Sequence, residues 1–251
     1  MVPSFAQLLA AGERADIHWD LARLFAWGGH GTTTGEFDEV LGDRLSRLDS
    51  ALDLQTGDGS RLAQLEDLPD HMVVTEGDVE DLRSARSSLE PLGVWVVRHS
   101  EEEPLPFGDN TFELVSALHP RETLFQEIAR VLTPGGAYLA QHLGPAGGFE
   151  LVEHFLGAGI TRSLGHLDHT IAAARDAGLD VVDVRHTRLR LEFRDVAAVV
   201  YTLRKLIWWV PDFSVERYAA RLALLHEQIR SEGSLVTHAT RYLVEAVKPV
   251  E

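Results

Sequence analysis

Residues 51 to 60 form the sequence Ala51-Leu-Asp-Leu-Gln-Thr-Gly-Asp-Gly-Ser60. The apolar start of this stretch predicts a short buried strand, and Gly57 and Gly59 predict a tight loop after it. Ser60 stands where an N-cap residue would open a helix over Ser60–Leu65. A strand, a glycine loop and a helix start are the local structure with which backbone N–H groups hold a small polar ligand.

Short apolar runs alternate with helical patterns beyond this stretch, which indicates a parallel sheet covered by helices on both faces. The predicted strands are Ala51–Leu54, Met72–Thr75, Val94–Arg98, Phe112–Ala117, Ala137–His142, Leu179–Phe193 and Leu235–Val247. The predicted helices are Glu36–Leu45, Ser60–Leu65, Val79–Leu89, Thr123–Leu132, Leu167–Ala177, Asp195–Trp208 and Ser214–Ser231, preceded by helical spacing within Ser4–Trp27. Because the last strand follows a long helical excursion, we expect it to form an antiparallel edge.

These elements predict a single domain of 251 residues with four segments. An N-terminal helical cap covers residues 1–48, and the ligand-binding core covers residues 49–193. A helical cap insertion follows over residues 194–233, and residues 234–251 carry the last strand.

Composition excludes several classes of protein. The net charge of −16, from 23 basic and 39 acidic residues, disfavours a polyanionic partner. Arg185, Arg188, Arg190 and Arg194 form a cluster that fits either a nucleic-acid contact or the exposed face of a strand. The absence of cysteine excludes disulfides, thiol nucleophiles and zinc–thiolate sites. Without a long apolar stretch or a signal-peptide pattern, we expect a cytoplasmic protein with no membrane partner.

Polar residues follow the predicted strands at the edge where parallel sheets bind ligands. Asp53 follows the first strand, and Glu76 follows the second, 23 residues later. An acidic residue about 20 residues beyond a glycine loop is placed to bind ribose hydroxyls. Ser100 and Glu101 follow the third strand, and His119 follows the fourth.

The glycine loop lacks the features of a phosphate site. It has no P-loop lysine, and only two of the three glycines of a dinucleotide fingerprint are present, with Leu62 at the third position. Asp53 and Asp58 would repel a pyrophosphate. The loop suits a ligand with a cation, an amino-acid group and a ribose, and S-adenosylmethionine has all three.

Four segments of the chain resemble class I S-adenosylmethionine-dependent methyltransferases of type 11. Asp53–Gly59 resembles the family's first motif, acid-x-Gly-x-Gly-x-Gly, and Glu76–Arg86 resembles its second. Pro104–Val115 resembles the stretch that enters strand four, and Ile128–Gly136 resembles the turn into strand five. The resemblance implies an α/β, Rossmann-like sheet of seven mostly parallel strands, with an antiparallel last strand, helices on both faces and helical caps.

The resemblance also implies S-adenosyl-L-methionine as the cofactor, held by Asp53, Gln55, Gly57, Gly59, Glu76, Ser100 and Glu101. The acid before the loop would orient it or receive the cofactor's amino group, and the glycines would approach the methionine part. Glu76 would take the ribose hydroxyls, and the last two residues would contact adenine.

Gln55 departs from the family pattern, because it replaces the first glycine of the motif. If its φ is negative and its side chain turns away from the cavity, the loop can work without that glycine. If the side chain fills the cavity, loss of the cofactor becomes a hypothesis to test.

Methyl transfer needs little catalytic machinery, because positioning the two reactants supplies most of the rate enhancement. His119 and His142 end the fourth and fifth strands, so His119 is the candidate general base, with a near-neutral pKa. The alternative is a hydrogen-bonded histidine at a strand end. His166-Leu-Asp168-His169 is typical of a solvated helix start, and we expect no metal.

The methyl acceptor is predicted to be a small molecule. The tail, Asp195–Val200 followed by Ile207–Pro211, is similar to that of guanine methyltransferases of large-subunit ribosomal RNA, whose cysteine zinc module is missing here. RNA therefore stays open as an acceptor. A non-enzymatic binding protein with a degenerate loop is the third hypothesis. Trp208, Trp209, Phe213 and Tyr218 fit an acceptor pocket or the core of the cap equally well.

Overall fold

The computed structural model describes residues 3–15, 35–100, 103–120, 122–144, 148–158, 166–207 and 209–250. Its strands are β1 Ser50–Leu54, β2 His71–Glu76, β3 Trp95–Arg98, β4 Phe112–Leu118, β5 Leu132–Leu143, β6 Asp180–Phe193 and β7 Leu235–Val247. Its described α-helices are α1 Phe5–Arg14, α2 Gly35–Leu45, α3 Val79–Leu89, α4 Phe125–Val131, α5 Phe149–Leu156, α6 His166–Asp176, α7 Val196–Lys205 and α8 Ala219–Glu232.

The strands form one sheet in the order β3-β2-β1-β4-β5-β7-β6. The pairs from β3 to β5 are parallel, whereas β7 runs antiparallel to β5. The Rossmann-like, mostly parallel sheet with an antiparallel last strand is therefore confirmed. β1 lies beside β4, so the order in which successive strands are added to the sheet reverses between these two parallel strands. This reversal leaves a crevice at the carboxyl ends of β1 and β4, where open sheets of this kind bind ligands.

The prediction that the last strand forms an edge is wrong, because β7 lies between β5 and β6. Val244 and Ala246 of β7 are fully buried, as expected of a strand with neighbours on both sides. β6 lies at the edge instead and exposes Val182 and Val184.

The predicted helix at residues 60–65 is also wrong. Only the 3₁₀ turn Leu62–Gln64 forms there. The Ser60 hydroxyl donates a hydrogen bond of 2.6 Å to Asp58 inside the loop and does not cap a helix. The sequence reasoning missed α5, and it placed the start of α8 five residues early, at Ser214 instead of Ala219.

The chain divides into two compact units. The first unit comprises Met1–Thr33, Gly144–Leu164 and Arg188–Thr240, and the second comprises Thr34–Leu143, Gly165–Thr187 and Arg241–Glu251. The segment boundaries expected at residues 48, 193 and 233 stay predictions.

The second unit packs apolar side chains on both faces of its strands. Ala51 belongs to one buried cluster, together with Phe37 and Leu41 of α2, and Leu52 belongs to a second cluster with Ile128 of α4. Successive strand residues point to opposite faces, so the continuous apolar run of β1 is buried on both sides. This double burial leaves the carboxyl ends of the strands as the place where polar side chains can gather.

The first unit has its own core, built mainly on the buried helix α7. Gly12 of α1 allows close helix packing, because a Cβ there would lie 2.8 Å from the Val200 Cβ. Phe213 and Tyr218 stack at a centroid distance of 5.8 Å, and Trp209 packs against the same core. Of the two interpretations of the aromatic residues, the structure favours the core of the cap; Trp208 lies outside the described residues.

Gly59 offers a direct test of how the loop packs on α3. A Cβ added there would lie 2.9 Å from the Leu89 Cγ and 3.1 Å from the Ala85 Cα, at a φ of +77°. Gly178 is the matched control, since its φ is +82° and an added Cβ meets no described atom within 4 Å. We expect Gly178→Ala to lower the free energy of unfolding by about 1–2 kcal/mol through backbone strain alone. Gly59→Ala should lower it by about 1–3 kcal/mol more, through overpacking.

Urea unfolding of both variants measures this difference. Equal losses in the two variants would show that the Gly59 side of the loop is not packed as described.

Candidate functional site

Backbone and side-chain hydrogen bonds connect the glycine loop, residues 55–59, to the end of β2. The N–H of Thr56 donates to the carbonyl of Thr75 at 3.0 Å, and the N–H of Gln55 donates to the Thr75 hydroxyl at 3.2 Å. The N–H of Gly57 donates to Oε2 of Glu76 at 2.8 Å. Two segments that sequence reasoning linked only by spacing are therefore in direct contact.

Glu76 ends β2 with its carboxylate almost fully buried. Oε1 accepts hydrogen bonds from the N–H groups of Gly77 at 2.7 Å and Asp78 at 2.8 Å, while Oε2 accepts the bond from Gly57. A carboxylate has about four lone-pair positions, so roughly one remains for a further donor. Glu76 thus both shapes the loop and keeps capacity for a ligand hydroxyl.

Asp53 is fully buried at the end of β1, with both carboxylate oxygens in use. Oδ1 accepts from the Ser116 hydroxyl of β4 at 2.5 Å, and Oδ2 accepts from the Arg61 guanidinium at 2.9 Å. Sequence reasoning missed both partners. A serine inside the apolar run of β4 was the available signal, because a buried hydroxyl needs a partner.

The two loop glycines have different surroundings. Both have a left-handed φ, +68° for Gly57 and +77° for Gly59. A Cβ on Gly59 would collide with α3, whereas one on Gly57 would meet no described atom within 4 Å. Gly57 therefore faces the open side of the loop. The absence of a side chain at Gly59 allows α3 to pack closely against the loop. A large side chain at Gly59 would disrupt this packing before it could enter any ligand space.

Gln55 keeps the backbone shape of the glycine that it replaces, with a φ of +53°. Its side-chain amide donates to the carbonyl of His99 at 3.3 Å, and Gln55 lines a small cavity of about 30 Å³. The loop was expected to work without its first glycine if the φ of Gln55 were negative and its side chain turned away from the cavity. Neither condition is observed.

The cavity beside Gln55 lies between the ends of β1, β3 and β4 and has mainly apolar walls, including Leu54, Leu105 and Ala117. His99 also lines the cavity. Its Nε2 lies 3.0 Å from the carbonyl of Glu103, which can only accept, so Nε2 carries the hydrogen. Nδ1 is then an acceptor, and this buried atom has no hydrogen-bond partner in the described part of the chain. His99, which carries this buried acceptor, is one of the residues that line the cavity.

Ser100 and Glu101 were expected on the adenine side. Ser100 is exposed and lies beside the end of β2, with its Cα 3.8 Å from the position of a Cβ added to Gly77. Glu101 lies outside the described residues.

His119 ends β4 with a left-handed φ of +56° and its Nε2 3.0 Å from the side-chain oxygen of Gln141. Burial lowers its pKa to about 3, and the positive charge of Arg241 adds to the effect. Burial likewise lowers the pKa of His142 to about 4. The expected near-neutral pKa is therefore wrong, because sequence alone did not show how far the fold shields these two half-buried side chains from water. His119 is a neutral imidazole at neutral pH and a weak base.

The arginine cluster of β6 and its end is paired with acidic groups. Arg185 contacts Asp183 and Glu36, and Arg188 lies 3.7 Å from Glu150. The remaining two arginines, Arg190 and Arg194, both contact Glu192. These pairs favour the exposed strand face over a nucleic-acid contact.

The described residues contain neither a metal-binding cluster nor a membrane-spanning helix. Among these, no group of three or more His, Asp or Glu side chains is arranged to hold a metal ion. Asp168 and His169 are exposed in the first turn of α6. None of the described helices combines the length and the apolar character needed to cross a membrane.

Comparison with known proteins points to one protein family. The family model of the methyltransferase domain matches residues 52–140, which include the glycine loop, Glu76 and His119. Over 91 residues the chain is 31% identical to the methyltransferase GfsG of Streptomyces halstedii, a match that covers 32% of this chain. It spans about a third of that relative, 33% of its length.

Two solved structures share the fold. A functionally unknown protein from Deinococcus radiodurans R1 superposes with a TM-score of 0.64 at 14% identity, covering 90% of this chain and 94% of that one. Phosphoethanolamine N-methyltransferase 2 of Haemonchus contortus, in complex with S-adenosyl-L-methionine, gives a TM-score of 0.50 at 18% identity, covering 99% of this chain and 60% of that one. Residues 52–140 thus match a methyltransferase domain, and the chain shares its overall fold with these two structures, whereas the similarity of the tail to RNA methyltransferases stays a prediction.

The low pKa of His119 predicts a pH dependence of stability. Its folded pKa of about 3 lies below the ordinary value, so between these two pH values the unfolded chain binds more protons. The contribution of neutral His119 is therefore present above pH ~6.5 and is lost as the pH falls. His119→Asn keeps a residue that tolerates a left-handed φ and removes the titration. We expect its free energy of unfolding to fall less steeply between pH 6.5 and 4, by up to about 1.4 kcal/mol per pH unit.

Urea unfolding at a series of pH values measures the slope. His169→Asn, at an exposed position of α6, should keep the slope of the unaltered protein. Identical slopes for the unaltered protein and His119→Asn would contradict the low pKa of His119 in the folded protein.

Proposed function

We propose that this protein transfers the methyl group of S-adenosylmethionine to a small-molecule acceptor. The observation that carries the proposal is the hydrogen bond between Gly57 of the glycine loop and Glu76 at the end of β2. It joins the two elements that would receive the amino-acid end and the ribose of the cofactor. Both lie in the segment that matches the methyltransferase domain.

The residues at the strand ends fit each part of the cofactor. Glu76 retains capacity for a ribose hydroxyl beside the open face of Gly57. The apolar walls between the ends of β1, β3 and β4 suit the faces of a purine, and His99, whose buried Nδ1 has no partner among the described residues, lies beside them. The Haemonchus contortus protein of the same fold is in complex with this cofactor, which supports the same choice here.

S-adenosylmethionine, when bound, supplies a sulfonium methyl group, which an acceptor lone pair takes by in-line displacement. The contribution of the chain is to align the acceptor and to exclude water, and such positioning provides about 7–11 kcal/mol at best. His119 is held neutral and makes a hydrogen bond to Gln141, so it suits orienting an acceptor better than removing its proton. An acceptor whose lone pair is already free at neutral pH fits this site.

A small-molecule acceptor agrees with the charge of the protein. The net charge of −16 repels RNA, and the arginines between residues 185 and 194 already pair with carboxylates. The tail that resembles RNA methyltransferases lies outside the matched residues 52–140.

Calorimetric titration with S-adenosylhomocysteine tests cofactor binding. We expect the unaltered protein to bind and Glu76→Ala to bind more weakly by about 1–3 kcal/mol, because the ribose and the loop lose a buried acceptor. Glu80→Ala, at an exposed position in the first turn of α3, is the control and should bind like the unaltered protein. Absence of heat at millimolar ligand would contradict methyl transfer and favour a binding protein with a degenerate loop.

Gln55 provides a second test of the same site. A ligand that enters the cavity must displace the Gln55 amide from the His99 carbonyl. We expect Gln55→Gly to bind S-adenosylhomocysteine more tightly by about 0.5–1.5 kcal/mol, the net contribution of one such hydrogen bond. Gln55→Asn also tolerates a left-handed φ but is one methylene shorter, so its affinity should lie between the other two. Weaker binding by the glycine variant would show that the Gln55 side chain contacts the ligand favourably.

A further inference from the structure

Arg61 lies two residues beyond the second loop glycine, and its guanidinium turns back toward the end of β1. It donates to Oδ2 of Asp53 at 2.9 Å and to Oδ1 of Asp38, on α2, at 3.4 Å. It also lies over the Phe37 ring, 5.3 Å from the ring centre. The Arg61 side chain is only 15% exposed, and that of Asp53 is fully buried.

The two carboxylate oxygens of Asp53 have different partners, and only one of these partners needs to move for a ligand to bind. Oδ1 is held by Ser116 on the neighbouring strand, at 2.5 Å. Oδ2 is held only by the Arg61 side chain among the described residues. If that contact opens, Ser116 still fixes the orientation of the carboxylate, and the freed oxygen keeps its place.

Arg61 is likewise anchored without Asp53. Its contact with Asp38 and its position over Phe37 come from α2 and do not involve β1. A guanidinium has five N–H donors, and the described contacts use two of them. Arg61 can therefore release Asp53, stay near the loop and present donors to a carboxylate.

The pair places one negative and one positive group side by side, and an amino-acid zwitterion carries the complementary two charges. Exchanging one internal ion pair for two ion pairs with such a ligand adds no uncompensated charge to a buried site. Burying an ion pair contributes little to stability by itself, because desolvation offsets the attraction. A role in binding explains why this pair lies at the ligand-binding edge.

We propose that Asp53 and Arg61 separate to receive the amino-acid end of S-adenosylmethionine, with the ammonium on Asp53 and the carboxylate on Arg61. This inference rests on the proposed function. It names Arg61 as a specificity residue for ligands that carry a free carboxylate.

The test compares three nucleosides that differ only at this end. S-adenosylhomocysteine has both charged groups, 5′-(3-aminopropyl)thioadenosine has only the ammonium, and 5′-methylthioadenosine has neither. Calorimetry gives the affinity of each for the unaltered protein, Arg61→Gln and Arg61→Lys. We expect the unaltered protein to prefer S-adenosylhomocysteine over the aminopropyl compound by about ten- to a hundredfold, as for a charge-assisted hydrogen bond. This preference should fall to about onefold in Arg61→Gln and be partly restored in Arg61→Lys.

The ratio of affinities separates binding from folding, because a structural defect of Arg61→Gln weakens both compounds alike. Arg44→Gln is the control, since Arg44 makes its ion pair with Glu245, 2.6 Å away, and should keep the full preference. An unchanged preference in Arg61→Gln overturns the role of Arg61 while leaving the proposed function standing. If none of the three nucleosides binds to the unaltered protein, the proposed function and this inference both fail.

Discussion

The site depends on one carboxylate, that of Glu76, which accepts three backbone N–H groups from two segments of the chain. Gly77 and Asp78 belong to the turn that leaves β2, while Gly57 belongs to the loop that leaves β1. Charge-assisted hydrogen bonds of this kind are roughly twice as strong as neutral ones, so the loop cannot move independently of the sheet. A ligand that binds here meets a loop whose shape is already set.

The net charge of the protein does not describe the charge at the strand ends. The chain carries −16 overall, yet Arg61 and Arg241 both lie close enough to His119 to lower its pKa. Burial lowers the pKa of Arg241 to about 10, and its guanidinium remains charged at neutral pH. The carboxyl ends of β4 and β5, together with Arg241 of β7 beside the end of β5, therefore form a locally cationic region within an acidic molecule. Such a field suits a ligand that carries a carboxylate, and it disfavours protonation of His119.

The parts of the fold that follow from local pattern were predictable from the sequence. α3 and β7 have the predicted bounds, because apolar periodicity marks the helix and alternation marks the strand. The place of β7 in the sheet was not predictable, since strand order depends on contacts between segments far apart in the chain. The predicted helix at Ser60 is replaced by a 3₁₀ turn, and the Ser60 side chain and N–H are both turned toward Asp58 inside the loop.

The candidate site shows the same division between local pattern and distant contact. The spacing of Asp53, Gly57 and Glu76 was sufficient to select all three as candidate ligand-binding residues. Their partners were not predictable, because Ser116 reaches Asp53 across 63 residues, and Arg61 folds back over a loop whose turn depends on two left-handed glycines. The pKa of His119 depends on burial and on Arg241, 122 residues away in the chain, which no motif records.

Gln55 shows that the shape of the loop and the access to its cavity are separate properties. A left-handed φ in a residue other than glycine costs on the order of 1–3 kcal/mol and persists only where the surroundings enforce it. Here the Thr75 hydroxyl holds the Gln55 backbone, and the His99 carbonyl holds its side chain. The backbone therefore keeps the form that a glycine would give, and only the side-chain amide occupies ligand space. A rotation about the side-chain bonds of Gln55 opens the cavity without moving the backbone that Glu76 and Thr75 fix. The substitution at the first motif position thus changes the cost of ligand entry and leaves the architecture of the site intact.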